Sequence, residues 1–145
     1  MKRGRSGGRS TAIRLVLDSG GLTALLGRST RARGWARWVM QHGGSLVIPT
    51  PVLVECITGD AGRDAEVNRW LGVLTKRAPV LVPPGEATAR EAGRLRHRAR
   101  TDDGIDALVA AAAVGDGTPA VVLTSDAGDL ESLLRDARHV EVKRV

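Results

Sequence analysis

The sequence predicts a doubly wound α/β domain, and three observations carry that expectation. Residues 13–17, 46–48 and 120–123 form short, nearly continuous aliphatic runs rich in β-branched side chains. Such runs mark strands covered on both faces, as in a parallel sheet. Segments with helical spacing lie between them, and strands that alternate with helices build α/β layers. The length of 145 residues fits one compact domain of roughly 100–150 residues.

The elements follow in order. Residues 13–17 make the first strand, which ends at Asp18, and a short segment, Ser19–Leu26, follows it. Residues 31–41 carry Trp35, Trp38 and Val39 at helical spacing. After the strand at 46–48, Thr50-Pro51 reads as an N-cap with proline at the first helical position, opening a helix through Val54 and Cys56. Residues 65–75 place Val67, Trp70, Leu71 and Leu74 along one face. A weaker strand at 80–82 precedes a polar, Arg-rich helix at 86–100. Residues 105–114 form an Ala-rich helix able to pack closely. The strand at 120–123 leads to a helix over 129–137 carrying Leu130, Leu133 and Leu134, and residues 140–142 suit an edge strand. No internal repeat is present. Residues 1–11, rich in Gly, Ser and Arg, hold too few apolar groups to offset the entropy of ordering and are expected to be a flexible basic tail, leaving 12–145 as the domain.

The formal charge of +6 invites a nucleic-acid reading, but its distribution decides the matter. Lys2, Arg3, Arg5, Arg9 and Arg14 precede any acid, and from residue 15 onward 17 basic residues face all 16 acidic ones. The folded part is therefore expected to be near neutral, with the excess in the tail. The lone cysteine, Cys56, excludes an internal disulfide and a Cys-based zinc site and reads as a small buried hydrophobe. His42, His97 and His139 have no ligand spacing. No apolar run approaches the roughly 20 residues of a membrane helix, and the short run before Asp18 is not a secretory signal. The expected location is the cytoplasm. Without Tyr or Phe, base stacking by an aromatic platform is disfavoured, and Trp35, Trp38 and Trp70 read as core or interface residues.

Four acids stand out by position. Asp18 directly follows the first strand and Asp126 nearly follows the later one, and open α/β sheets place ligand sites at the carboxyl ends of strands where strand order reverses. Glu55 and Asp106 each lie in an apolar helical segment with no Lys or Arg beside them, where burial is costly unless a partner or a metal compensates. Carboxylates gathered in one place repel each other unless a cation neutralises them. Hard oxygen donors without His or Cys suit Mg²⁺ or Mn²⁺. Simpler roles compete. Asp126 and Asp18 could be helix caps, with Asp129 in a first turn favoured by the macrodipole. Asp102 or Asp103 could cap the helix carrying Asp106, and Glu55 and Asp106 could face water.

Taken together, Leu17-Asp18-Ser19-Gly20, Pro51-Val52-Leu53-Val54-Glu55, Gly104-Ile105-Asp106-Ala107-Leu108-Val109-Ala110 and Leu123-Thr124-Ser125-Asp126-Ala127-Gly128-Asp129-Leu130 resemble the PIN domains, and within them the VapC-like toxins of toxin–antitoxin pairs. The match runs over residues 13–142 in order and spacing. It departs at Leu130, where an aromatic residue is common. The resemblance implies a three-layer α/β/α fold around a five-stranded parallel sheet of order 3-2-1-4-5. It implies a metal-dependent endoribonuclease, a homodimer and a cognate antitoxin. By position, Asp18, Glu55, Asp106 and Asp126 would form the acidic quartet, with Asp129 auxiliary.

The expected chemistry is hydrolysis of RNA phosphodiesters with one or two Mg²⁺ (Mn²⁺ substituting) held by Asp18, Asp106, Asp126 and Asp129. Glu55 is ligand or base, and Ser19, Thr124 and Ser125 are candidates for orienting the ligands. Arg90, Arg94 and Arg98 recur at i, i+4, i+8, a stripe that could contact RNA phosphates or be a solvated face. An antitoxin is expected to place an Arg or Lys in the acidic crevice. Two other classes compete: an inactive PIN-like module that only binds RNA or a partner, and a phospho-acceptor receiver-like domain. Retention of all four acids speaks against the first. The second requires paired acids after the first strand, where Asp18 stands alone.

Overall fold

A computed structural model describes residues 12–145; the expected basic tail at 1–11 lies outside the described residues. The elements are β1 (Arg14–Leu17), α1 (Ser19–Leu26), α2 (Thr30–Gln41), β2 (Ser45–Pro49), a 3₁₀ turn at Thr50–Val52, α3 (Leu53–Cys56), α4 (Ala61–Arg77), β3 (Leu81–Val82), α5 (Glu86–Ala99), α6 (Gly104–Val114), β4 (Ala120–Thr124), α7 (Gly128–Leu133) and β5 (Val140–Arg144). The sheet has five strands in the order β3-β2-β1-β4-β5, every pair parallel. This is the expected α/β fold and strand order.

The aliphatic runs explain the layering. Leu15, Val16 and Leu17 of β1 and every residue of β4 are buried, so both central strands are covered on each face. α1 and α2 pack against the sheet as one group, while α5, α6 and α7 pack on one another, with α6 on β1, β2 and β4. Right-handed crossovers and the reversal of direction after β3 put these groups on opposite faces. β5 is half exposed, as an edge strand should be. Leu17 is level with Leu123 across the β1–β4 pair, so Asp18 and Thr124 emerge side by side where the strand order reverses. Among the described residues, no helix is long and apolar enough to cross a membrane.

Several local expectations shift. Thr50 is not an N-cap. It lies inside the 3₁₀ turn, which has Pro49 before it and no side-chain cap, and α3 that follows is a single turn. α7 stops at Leu133 rather than continuing to Ala137. Arg14 does not belong with the tail: it is a residue of β1, and its half-buried guanidinium reaches the carboxyl end of α6.

α4 starts four residues before the expected position 65, because two acids organise its entry. Asp60 accepts from Arg63 N at 2.9 Å. The buried Asp64 accepts from Thr58 N, Thr58 Oγ1 and Gly59 N at 2.9, 2.8 and 2.8 Å. These donors hold its carboxyl below the usual aspartate range. A carboxylate with a depressed folded pKa adds stability above its unfolded pKa, and that stability is lost as pH falls through the folded value. Asp64→Asn is therefore expected to lower the melting temperature at pH 7, with the gap to wild type closing in acid below pH ~4. A gap independent of pH would refute this role.

Candidate active site: an acidic cluster at the carboxyl edge of the sheet

Asp18 is the best-anchored acid. It is 7% exposed, its Oδ1 accepts from Gly21 N at 2.7 Å, and its Oδ2 accepts from Thr124 Oγ1 at 2.5 Å. The expected capping of α1 is present, so Asp18 serves the helix and the site together. Burial pushes its carboxyl up, and the bonds from Thr124 and Gly21 oppose that rise.

Thr124 is the link between the two central strands. Its hydroxyl donates to Asp18, accepts from Asp126 N at 3.1 Å and lies 2.9 Å from Asp126 O. Asp126 is exposed, and its Oδ1 accepts from Gly128 N at 3.2 Å. It shapes the turn into α7 without being the cap residue, which is Ala127.

Asp106 sits in the first turn of α6, half-buried, with its amide donating to Asp103 Oδ1 at 2.9 Å. Burial pushes its carboxyl up to about 7, and Asp103, Asp18, Asp129 and Glu55 add to the rise in that order. Asp103 caps the same helix, whereas Asp18, Asp129 and Glu55 act on Asp106 from other parts of the chain. Carboxylate oxygens of Asp103, Asp106 and Asp129 all lie within 4.8 Å of one another; Asp18, Glu55 and Asp126 stand outside that triplet. Asp103 was expected only as a cap. It is the cap, and it also faces Asp106, because a residue three positions before Asp106 reaches the same end of the helix.

Glu55 does not occupy the buried setting that its apolar neighbours suggested. It is exposed on single-turn α3, and so is Val54, at 74%. Its charge nonetheless acts on Asp106. Cys56 is half-buried rather than fully buried, and burial first, then Glu55 and Asp18, push its thiol up. Ser19 is half-buried and Ser125 exposed. Ser125 lies so close to Gly20 that a Cβ there would meet its Oγ at 2.1 Å.

Among the described residues, no Lys, Arg or His makes an ion pair with any of these acids; the ion pairs lie elsewhere. Arg90 pairs with Glu86 at 3.0 Å, Arg94 with Glu91 at 2.5 Å and Arg98 with Asp136 at 3.2 Å. The stripe on α5 is thus a row of ion pairs, not of bare cations. At the acidic edge the donors are all oxygens, partly desolvated and without a countercharge, a set that fits a hard divalent cation.

Comparison with known proteins agrees with this fold. No curated protein matches the chain by sequence. By structure it is similar to VapBC2 from Rickettsia felis bound to a DNA fragment from their promoter, at 10% identity and a TM-score of 0.66, over 91% of this chain and 98% of that one. It is also similar to FitAB bound to an IR36 DNA fragment, at 16% identity and a TM-score of 0.61, over 90% of this chain and 94% of that one. At these identities the likeness concerns the fold. The sequence profile of the PIN domain matches residues 15–132, most of the chain, which therefore belongs to the PIN domain family.

Proposed function

We propose that this chain is a Mg²⁺-dependent endoribonuclease, with Mn²⁺ able to substitute, and the cytoplasmic toxin of a toxin–antitoxin pair. The observation that carries the reading is the uncompensated set of acids around Asp106, at the switch point of a PIN fold. Asp106, Asp129 and Asp103 are the residues best placed to hold the cation, with Asp18 and Asp126 alongside them. A divalent cation there would supply a water of lowered pKa and offset charge developing on the phosphate.

The chain's own groups supply the rest. Asp18 is kept in one orientation by Gly21 and Thr124, so its place costs no reorganisation during reaction. Glu55 is exposed and accepts no hydrogen bond among the described residues, which leaves its carboxylate available as a ligand or as a base. Arg90, Arg94 and Arg98 would bind RNA by exchanging Glu86, Glu91 and Asp136 for phosphates, so affinity should fall as salt rises.

An antitoxin has two features to meet. The acidic edge suits an inserted Arg or Lys. A groove of about 640 Å³ beside α1, α2 and α4, lined by Trp70, Met40 and Val73 and bordered by Arg33, Arg37 and Arg77, suits an apolar segment flanked by acids. A homodimer, which the family resemblance implies, would be seen by light scattering.

Purified protein free of antitoxin should cleave RNA with Mg²⁺ or Mn²⁺, stop in EDTA and recover when the cation is restored. Asp18→Asn should reduce cleavage by about a hundredfold or more. Equal cleavage by wild type and variant would remove the nuclease reading, and RNA binding without cleavage by either would favour a binding module.

A further inference from the structure

α6 runs back along β1. Asp106 lies in its first turn, beside Asp103 and Asp129, and the carboxyl end of the helix lies against Arg14. The last four carbonyls of an α-helix lack partners from further along the helix, and here each is satisfied, the first by the capping residue and the other three by groups outside the helix. Ala111 O accepts from Gly115 N at 3.1 Å. Ala112 O and Ala113 O accept from Arg14 Nη1 and Nη2 at 2.8 and 2.7 Å. Val114 O receives Gly117 N at 3.1 Å and His139 Nε2 at 2.8 Å. Arg14 also donates to Thr118 Oγ1 and Thr118 O, both at 2.9 Å. One strand residue therefore grips the helix end and the loop beyond it through four hydrogen bonds, as a cation at the negative end of the helix dipole.

Two further features make this grip matter. The face that α6 buries is Ala107, Val109, Ala110, Ala111 and Ala113, side chains too small to form deep ridges, so packing alone resists axial sliding weakly. At the far end, carboxylate oxygens of Asp103, Asp106 and Asp129 lie within 4.8 Å of one another, and among the described residues no opposite charge there anchors the helix. Gly115, at φ +48°, leaves the guanidinium its space: a Cβ there would lie 2.6 Å from Arg14 Nη1.

We propose that Arg14 is a positioning residue of the acidic cluster: its guanidinium sets how far α6 sits along β1 and so holds Asp106 in place beside Asp129 from the opposite end of the helix. This rests on reading the cluster as a divalent-cation site. The full chain is compared with Arg14→Ala by two measurements made well below both unfolding midpoints: Mn²⁺ affinity by electron paramagnetic resonance, and amide hydrogen exchange by NMR. The expected results are Mn²⁺ affinity weaker by about tenfold, the scale seen when outer support of a metal site is lost, and faster exchange at residues 107–110. Arg14→Lys should be intermediate, and millimolar methylguanidinium should restore part of the affinity in Arg14→Ala. Should Arg14→Ala not fold, Thr118→Val, which removes one of the four acceptors, should show the same pattern more weakly. Faster exchange confined to residues 111–115, with Mn²⁺ affinity within twofold of wild type, would overturn the proposal and leave Arg14 a helix cap. Failure of the wild type to bind Mn²⁺ would strike the metal reading instead, and exchange at 107–110 would still decide the role of Arg14.

Discussion

Replacing Asp106 with Asn is expected to raise the melting temperature of the metal-free protein at pH 8 while abolishing cation-dependent cleavage. The sign follows from the direction of the shift. An acid whose folded pKa is raised, here to about 7, binds its proton more tightly when folded. Stability then falls as pH climbs from the unfolded value toward the folded one. The side chain is only partly buried, so solvent screening limits the cost of that rise to about 1–2 kcal/mol. For a chain of this size that is about 3–6 °C. Only below the unfolded value of ~4 do both states carry the proton, and there the variant and wild type should melt within about a degree of each other. A saturating divalent cation should reverse the order, since binding at a hundred times Kd adds about 2.7 kcal/mol to a protein that still has the site. A pH-independent difference, or equal stabilisation of both proteins by Mn²⁺, would show that Asp106 neither bears the repulsion nor serves the cation.

This coupling also explains what the sequence could reveal. β-branched runs located the central strands, and acids at their ends located the site, because a strand direction and a chain position suffice to place Asp18 and Asp126 at the carboxyl edge. Placing β1 next to β4 required the family resemblance, since pairing partners are not written in local periodicity. Of the two settings open to Glu55, buried or facing water, the second holds, because apolar neighbours along the chain are not neighbours in space: on a single-turn helix Val54 points to water as Glu55 does. Asp103 was assigned one role where geometry gives it two, and the adjacent Asp102-Asp103 pair just before the Asp106 motif was the available signal. Arg14 was grouped with the tail by charge counting. A strand residue flanked by Ile13 and Leu15 can be recognised as internal, but its partner, the carboxyl end of a helix about a hundred residues later, is purely tertiary. Asp64 was likewise unreadable, because its donors come from a turn whose shape exists only once α3 has ended.

Gly21→Ala is expected to be strongly destabilising. By helix propensity alone it ought to help, since Ala is favoured over Gly by about 1 kcal/mol inside a helix. α1 crosses the carboxyl end of β4 so closely, however, that a Cβ on Gly21 would lie 2.2 Å from Leu123 O and 2.8 Å from Leu123 C. Those atoms are backbone of a fully buried central strand and cannot rotate away. The overlap can be relieved only by lifting α1 from β4, which strains three bonds at once: Asp18 N to Leu123 O at 3.4 Å, Gly21 N to Asp18 Oδ1, and Thr124 Oγ1 to Asp18 Oδ2. A loss of about 3 kcal/mol or more is expected, at the upper end of overpacking costs. Gly34→Ala in α2 is the matched control: a Cβ there meets nothing within 4 Å, and the change should stabilise by about 0.5–1 kcal/mol. Urea unfolding of both variants separates the effects, and a Gly21→Ala protein as stable as wild type would mean that α1 does not approach β4 this closely. Because the same displacement moves Asp18, the residual folded fraction of Gly21→Ala should also bind Mn²⁺ more weakly, whereas Gly34→Ala should bind it as wild type does. Close approach of α1 to β4 is thus the condition under which a strand-end carboxylate becomes a fixed member of the site, and glycine at position 21 is what permits it.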